Sequence, residues 1–237
     1  MHAQYFAHCS ASKRVVCQPD KMKEMEMNTI VVLGASGDLA FKKTFPSIYN
    51  LYIHARLPTP FRIIGFARTK MDRSQFIARI SLNFKHGTNE QKKGFLDHCY
   101  YMSGDYDSPK SYMDLSDLIA TNTANSRDNR LFYMALPPTV FSLASSNLKK
   151  YVYSSSGRNV LVVEKPFGTD STTCEKLLSE ISRDWKDDEV FLVLMLRFTE
   201  SIITWGKKWC RIYKLFGLPI RLSLSSRIAQ SRPCILF

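Results

Sequence analysis

No run of apolar residues in this 237-residue sequence reaches the ~20 needed for a membrane-spanning helix. The strongest candidate, residues 190–198, is short and is interrupted by Arg197. No membrane association is therefore expected. The six cysteines, Cys9, Cys17, Cys99, Cys174, Cys210 and Cys234, include no C-x-x-C pair, and their scatter fits neither a disulfide framework nor a zinc site. Reduced thiols in a cytoplasmic protein are the expectation, with no metal. The N-terminal residues carry no sustained apolar core of a secretory signal. Histidine is confined to His2, His8, His54, His86 and His98. Acidic residues are in deficit, 21 against 33 lysines and arginines, for a formal net charge of +12. Such a balance suits a polyanion, either nucleic acid or a phosphorylated metabolite. Much of the excess follows Lys207, and no RNA-binding signature is present, so no nucleic-acid partner is expected.

What is present is a short β-branched run, Thr29–Leu33, flowing into Gly34-Ala35-Ser36-Gly37-Asp38-Leu39-Ala40-Phe41 and then a helical pattern with Lys42 and Lys43. Strand, glycine turn and helix in this order form the start of a dinucleotide-binding crossover. Glycines let the backbone approach a pyrophosphate, and the helix N-terminus offers unpaired N–H groups and a positive dipole end. The spacing is Gly-x-x-Gly-x-x-Ala rather than G-x-G-x-x-G, and a strand-to-helix turn that needs glycine only for its backbone angles is the plain alternative.

The remaining chain alternates strand and helix, as an α/β doubly wound parallel sheet requires. Residues 38–55 read as the first helix, with Pro46 kinking it or starting its regular part. Phe61–Arg68 reads as the second strand. Its tip is where an adenosine ribose lies in this architecture, and Arg68, with Thr69 and Lys70 beside it, suits a 2′-phosphate better than a 2′-hydroxyl. A surface arginine ending a strand is the plain alternative. Residues 74–95 carry helical spacing, Tyr100–Tyr106 gives a short strand and then Gly104-Asp105-Tyr106, and residues 108–121 read as another helix. A polar loop is expected over 122–130. Leu131–Leu136 is a continuous apolar run closed by Pro137-Pro138, a strand buried on both faces. A helix over 139–153 follows, then the strand Asn159–Val163, ending in Glu164-Lys165-Pro166-Phe167-Gly168. Lys165 thus stands at a strand's carboxyl end, where substrate meets cofactor; an ordinary surface lysine is the alternative. Residues 170–182 read as a helix opened by capping residues.

Gly34–Ala40, Gly65–Arg68, Leu131–Pro138 and Glu164–Gly168, in this order and spacing, resemble the N-terminal domain of the glucose-6-phosphate dehydrogenase family over residues 28–191. The resemblance implies a Rossmann-type fold, NADP as cofactor and glucose 6-phosphate as substrate, oxidised to 6-phosphogluconolactone at the entry to the pentose phosphate pathway. It places the pyrophosphate on Gly34, Ala35, Ser36, Gly37, Asp38, Leu39, Ala40 and Phe41, with Lys43 behind them. Arg68 takes the 2′-phosphate. Tyr106, Leu136, Pro137 and Phe141 line the cofactor's path, and Lys165 meets both substrate and nicotinamide. Two positions depart from the family, which usually carries lysine at position 41 and tyrosine at position 141.

The expected organisation is a flexible extension over 1–26, an NADP-binding domain over 27–191, and a non-family tail over 192–237, disordered or misfitted. Past Phe191 the family's sugar-phosphate motif Asp-His-Tyr-Leu-Gly-Lys and its later general-base histidine are absent. Permitted codons for residues 200–214, read one base out of register, encode Arg-Ile-Asp-His-Tyr-Leu-Gly-Lys-Glu. An unspliced short intron, a frameshift or a gene-model error each accounts for that. The resemblance implies an antiparallel-sheet domain that completes the substrate site and forms dimers or tetramers, and this sequence is expected to lack it. The expectation is NADP binding without turnover. A non-catalytic NADP-binding or regulatory fragment, or another NADP-dependent reductase, remain alternatives.

Overall fold

A computed structural model describes residues 26–121, 127–164 and 171–193. Six strands form one wholly parallel sheet: β1 (Glu26–Leu33), β2 (Phe61–Ala67), β3 (Cys99–Ser103), β4 (Arg127–Met134), β5 (Asn159–Glu164) and β6 (Val190–Val193), in the order β3-β2-β1-β4-β5-β6. Six α-helices connect them: α1 (Phe45–Ile53), α2 (Arg73–Ser81), α3 (Asn89–Asp97), α4 (Pro109–Ala120), α5 (Phe141–Tyr151) and α6 (Ser171–Asp184). This is the α/β doubly wound architecture expected from the alternation of elements.

Because strand side chains alternate, each central strand feeds two cores. Ile30, Val32, Ile63, Tyr133, Val160 and Val162 pack on one face with Phe45, Ile48, Phe76 and Phe95 of α1 to α3. Val31, Leu33, Ile64, Phe66, Phe132 and Val163 pack on the other with Leu115, Ala144, Leu148 and Ile181 of α4 to α6. Covering helices on both sides explain why these strands read as continuous apolar runs rather than alternating ones.

Three expectations change in detail. The first helix is two pieces: a π-helical turn over Ala40–Thr44 and then α1, with Pro46 in its first turn, where a missing N–H costs nothing. The single helix expected over 74–95 is α2 and α3, separated at Gly87, whose φ of +85° breaks helical geometry. Each of the two has its own capping box, Asp72 with Gln75 and Thr88 with Gln91. Finally, β4 starts at Arg127, so residues 127–130 are strand rather than loop. Arg127 is exposed, while Asp128, Asn129 and Arg130 are buried with their polar groups satisfied by hydrogen bonds. Asp128 accepts from Arg130 (2.7 Å) and from the Thr29 hydroxyl (3.1 Å), and Thr29 in turn accepts from Arg62 (2.9 Å).

β1 already includes Glu26, and β6 runs through residue 193, two residues past the expected domain end at Phe191. The rest of the expected extension and tail lies outside the described residues.

Candidate dinucleotide site

Strand order reverses between β1 and β4, so the crossovers leave these two strands on opposite sides and open a crevice at their carboxyl ends. Gly34 is the first residue past β1. Its N–H donates to the Phe66 carbonyl on β2 (2.9 Å), as does that of Ala35 (3.3 Å), which pins the turn to the sheet. Gly34 has φ +78°, and a Cβ there would lie 2.0 Å from the Ala135 carbonyl oxygen at the end of β4. Only glycine permits both the conformation and this approach of two strand ends. The turn continues with Gly37 N–H to Gly34 carbonyl (2.9 Å) and Phe41 N–H to Gly37 carbonyl (3.1 Å), which aims the start of the helix at the crevice.

Along this turn Ser36 accepts a hydrogen bond from the Thr69 hydroxyl (2.9 Å), joining the glycine turn to the residues past β2. Gly37 and Asp38 are exposed, Leu39 is half-buried, and Ala40 is buried. Lys42 hydrogen-bonds the Asp38 carboxylate at 2.8 Å and holds its pKa below the ordinary range. Lys43 points to solvent. Phe41 is different: its ring is buried against Phe45, and the Arg79 guanidinium covers it, 4.0 Å from the ring centroid.

Arg68 is exposed, one residue past β2, and its guanidinium stands 5.7 Å from the centroid of the Tyr106 ring, within cation–π reach. Tyr106 is buried beside the turn. Burial raises its hydroxyl pKa, while the nearby Arg68 charge and the Gly34 and Arg68 amides oppose the rise. Two hydrogen bonds fix the Tyr106 carbonyl, from the Tyr112 hydroxyl (3.0 Å) and from Asn147 (3.2 Å). Leu136 is buried beside Gly34, Pro137 is exposed at the crevice edge, and Phe141 is buried at the start of α5. The structure therefore gathers Gly34, Ser36, Arg68, Tyr106 and Leu136 at one sheet edge. It turns the rings of Phe41 and Phe141 into the two cores. Lys165 lies outside the described residues.

Sequence reasoning missed a buried pair immediately before Lys165. The Tyr133 hydroxyl donates to the Glu164 carboxylate at 2.8 Å, bridging the carboxyl ends of β4 and β5. Burial, with the Glu164 charge next, holds Tyr133 protonated. A signal existed: a tyrosine and a glutamate at the carboxyl ends of two apolar runs, residues 131–134 and 160–163, each need a polar partner.

The family model for the glucose-6-phosphate dehydrogenase NAD binding domain matches residues 31–193. The chain belongs to the glucose-6-phosphate dehydrogenase family. Among curated relatives, glucose-6-phosphate 1-dehydrogenase of Emericella nidulans is 41% identical over 168 residues, which are 69% of this chain and 33% of that protein. The Aspergillus niger enzyme of the same name is 39% identical over 176 residues, 73% of this chain and 34% of that protein. A solved glucose-6-phosphate dehydrogenase in complex with its substrate glucose 6-phosphate superposes with a TM-score of 0.69 at 34% identity, covering 72% of this chain and 37% of that one. The chain thus spans about a third of the length of the curated relatives it matches. The matched region is the family's dinucleotide-binding domain, which agrees with NADP as cofactor. Among the described residues no helix is long and apolar enough to cross a membrane, and no cluster of His, Cys, Asp or Glu is suited to a metal.

Proposed function

We propose that this chain is the NADP-binding part of a glucose-6-phosphate dehydrogenase acting in the cytoplasm. One observation carries the reading. The Gly34 turn lies at the switch point of the sheet, with the Arg68 guanidinium at the tip of the neighbouring strand, held over Tyr106 at 5.7 Å. A turn of this kind presents backbone N–H groups to a pyrophosphate, and a planar guanidinium at the second strand's end takes a 2′-phosphate in a forked pair of hydrogen bonds. No carboxylate stands at that strand's end, where NAD binders place one to accept the 2′-hydroxyl. Leu136 and Pro137 provide the crevice wall along which the rest of the dinucleotide lies.

NADP, when bound, supplies the acceptor for hydride from C1 of glucose 6-phosphate. Lys165, following the buried Glu164 at the end of β5, is the residue this chain contributes toward the sugar. The proton on the C1 hydroxyl needs a base, and no histidine follows His98 in this sequence. A polypeptide of this sequence therefore binds NADP without turning over substrate. Dimer or tetramer formation belongs to the family's second domain and is not ascribed to residues 26–193.

The test is calorimetric titration of the purified chain with NADP and NAD, alongside an absorbance assay for reduced cofactor with glucose 6-phosphate. The expected result is tighter binding of NADP and no formation of reduced cofactor. Equal affinity for the two dinucleotides overturns the binding assignment, and sustained reduction of NADP overturns the inactivity.

A further inference from the structure

Arg79 is an exposed residue in the last turn of α2, one turn after Phe76. Phe76 anchors that part of the helix in the core, edge-on to Phe45 at 5.2 Å and against Tyr101 at 4.9 Å. The helix position is thus fixed with respect to both the glycine-turn helix and the third strand. Arg79 stacks its guanidinium on the outer face of the Phe41 ring at 4.0 Å. Among the described residues it makes no hydrogen bond and no ion pair; the nearby Asp38 carboxylate is held by Lys42 instead. Its charge nevertheless reaches both Asp38 and the Tyr101 hydroxyl. Tyr101 donates that hydroxyl to the carbonyl of Thr69, whose side chain bonds Ser36. Arg79 therefore stands over the junction between the glycine turn and the segment that follows Arg68, with its N–H donors uncommitted.

We propose that Arg79 is a second guanidinium for the 2′-phosphate of NADP, pre-positioned on the Phe41 ring and acting beside Arg68. The inference rests on the NADP reading above and extends it to a residue that the glycine motif and the second strand do not contain. A phosphate dianion has three acceptor oxygens and two charges, so one arginine leaves part of it to water. A stacked guanidinium has already lost much of its rotamer freedom, so ordering it against the anion costs little. The buried Phe41 ring then has a purpose in the site: it provides the flat surface that holds the cation in place. A 2′-hydroxyl would engage neither arginine's charge, which makes Arg79 a specificity residue rather than a general nucleotide contact.

Two ligands that differ only by the 2′-phosphate, adenosine 2′,5′-bisphosphate and adenosine 5′-monophosphate, isolate this contact. The full chain and its Arg79→Gln, Arg79→Lys and Phe41→Leu variants are titrated with each by calorimetry, with thermal unfolding as the check on folding. Arg79→Gln is expected to weaken the bisphosphate about tenfold, as loss of a charge-assisted hydrogen bond does, and to leave the monophosphate unchanged. Arg79→Lys keeps charge but loses the fork and falls between; Phe41→Leu removes the stacking surface and weakens the bisphosphate by a smaller factor. Wild-type bisphosphate affinity in Arg79→Gln, or equal loss for both ligands, overturns the proposal while leaving the NADP reading intact if Arg68→Gln loses the preference. A wild-type chain that does not distinguish the two ligands removes both.

Discussion

Gly34→Ala tests the geometry of the crevice directly. The substituted residue would have to hold φ at +78°, a left-handed conformation that costs an L-residue ~1–2 kcal/mol. Its Cβ would also meet the Ala135 carbonyl oxygen at 2.0 Å and the carbonyl carbon at 2.8 Å. Neither neighbour is a flexible side chain, so relief must come from backbone, by separating the ends of β1 and β4. That movement strains the Ala135 N–H to Leu33 carbonyl bond (3.0 Å), worth ~0.5–1.5 kcal/mol, at the point where two strands that pair along their whole length begin to diverge. The two contributions place the loss of stability at about 1.5–3.5 kcal/mol, a large share of the ~5–15 kcal/mol typical of a domain. Urea unfolding followed by circular dichroism measures it as a lower midpoint at unchanged slope. Dinucleotide binding should fall further than stability requires, because the turn that presents its N–H groups is displaced even in the folded fraction. An alanine variant with a midpoint within about 0.5 kcal/mol of wild type and intact NADP binding would refute the claim that this turn sits under backbone constraint at the switch point.

Other expectations concern separate parts of the molecule. Arg68→Gln should cut the preference for NADP over NAD about tenfold or more, read by calorimetry, with the unfolding midpoint unchanged. Tyr133→Phe removes a donor from the buried Glu164 carboxylate and should destabilise the fold by about 1–3 kcal/mol in urea; an unchanged midpoint would show the pair to be incidental. Glu189 is raised by burial, but the Tyr153 hydroxyl, the Lys186 amide and the Lys149 ammonium outweigh that and set its pKa below the ordinary glutamate value. Its stabilisation is therefore present above the unfolded-state pKa and lost as pH falls through the folded one. The stability difference between wild type and Glu189→Gln should shrink on acidification, and pH profiles that stay parallel would contradict it. Cys99 is fully buried, with its thiol pKa pushed far up by burial, so alkylation mapped by mass spectrometry should spare it until the sheet unfolds. Sequencing the transcript past the Phe191 codon should reveal Asp-His-Tyr-Leu-Gly-Lys in a neighbouring frame; its absence from every frame removes that account of residues 192–237.

How far the fold could be read from the chain depended on what each segment needed from distant residues. The runs Ile30–Leu33, Ile63–Phe66 and Leu131–Met134 are apolar throughout, and strands with helices on both faces are the only economical way to bury them. Residues 127–130 failed as a reading for the same reason in reverse. Arg-Asp-Asn-Arg looks like loop, yet β4 buries three of the four, because Thr29 and Arg62 arrive from other strands and complete the hydrogen bonds. Nothing local announces partners about a hundred residues away. The split between α2 and α3 is a milder case: the apolar period ends at Phe84, and Gly87 with the Thr88–Gln91 capping box, both visible in the sequence, marks where the second helix begins.

The same distinction divides the site. Backbone-borne chemistry is legible, because a glycine turn after a strand requires glycine wherever the rest of the chain lies, and Arg68 follows from counting to the end of β2. Side-chain chemistry built between elements is not. Phe41 reads as a cofactor contact from its place in the turn, but the folded chain sends its ring inward to Phe45 and brings a cation from α2 to its outer face. Tyr133 and Glu164 each look like an ordinary end to an apolar strand until β4 and β5 pair, Tyr133 opposite Val162, and the Tyr133 hydroxyl reaches diagonally to the Glu164 carboxylate. With Arg79 beside Arg68, discrimination between NADP and NAD in this chain depends on two arginines reaching one phosphate from different elements. Exchanging Arg68 alone would then leave a residual preference, and only Arg68→Gln combined with Arg79→Gln would bring the two dinucleotides level. Losses that add in the double variant would mark two independent contacts, whereas a double variant no worse than Arg68→Gln would mean that Arg79 never reaches the anion.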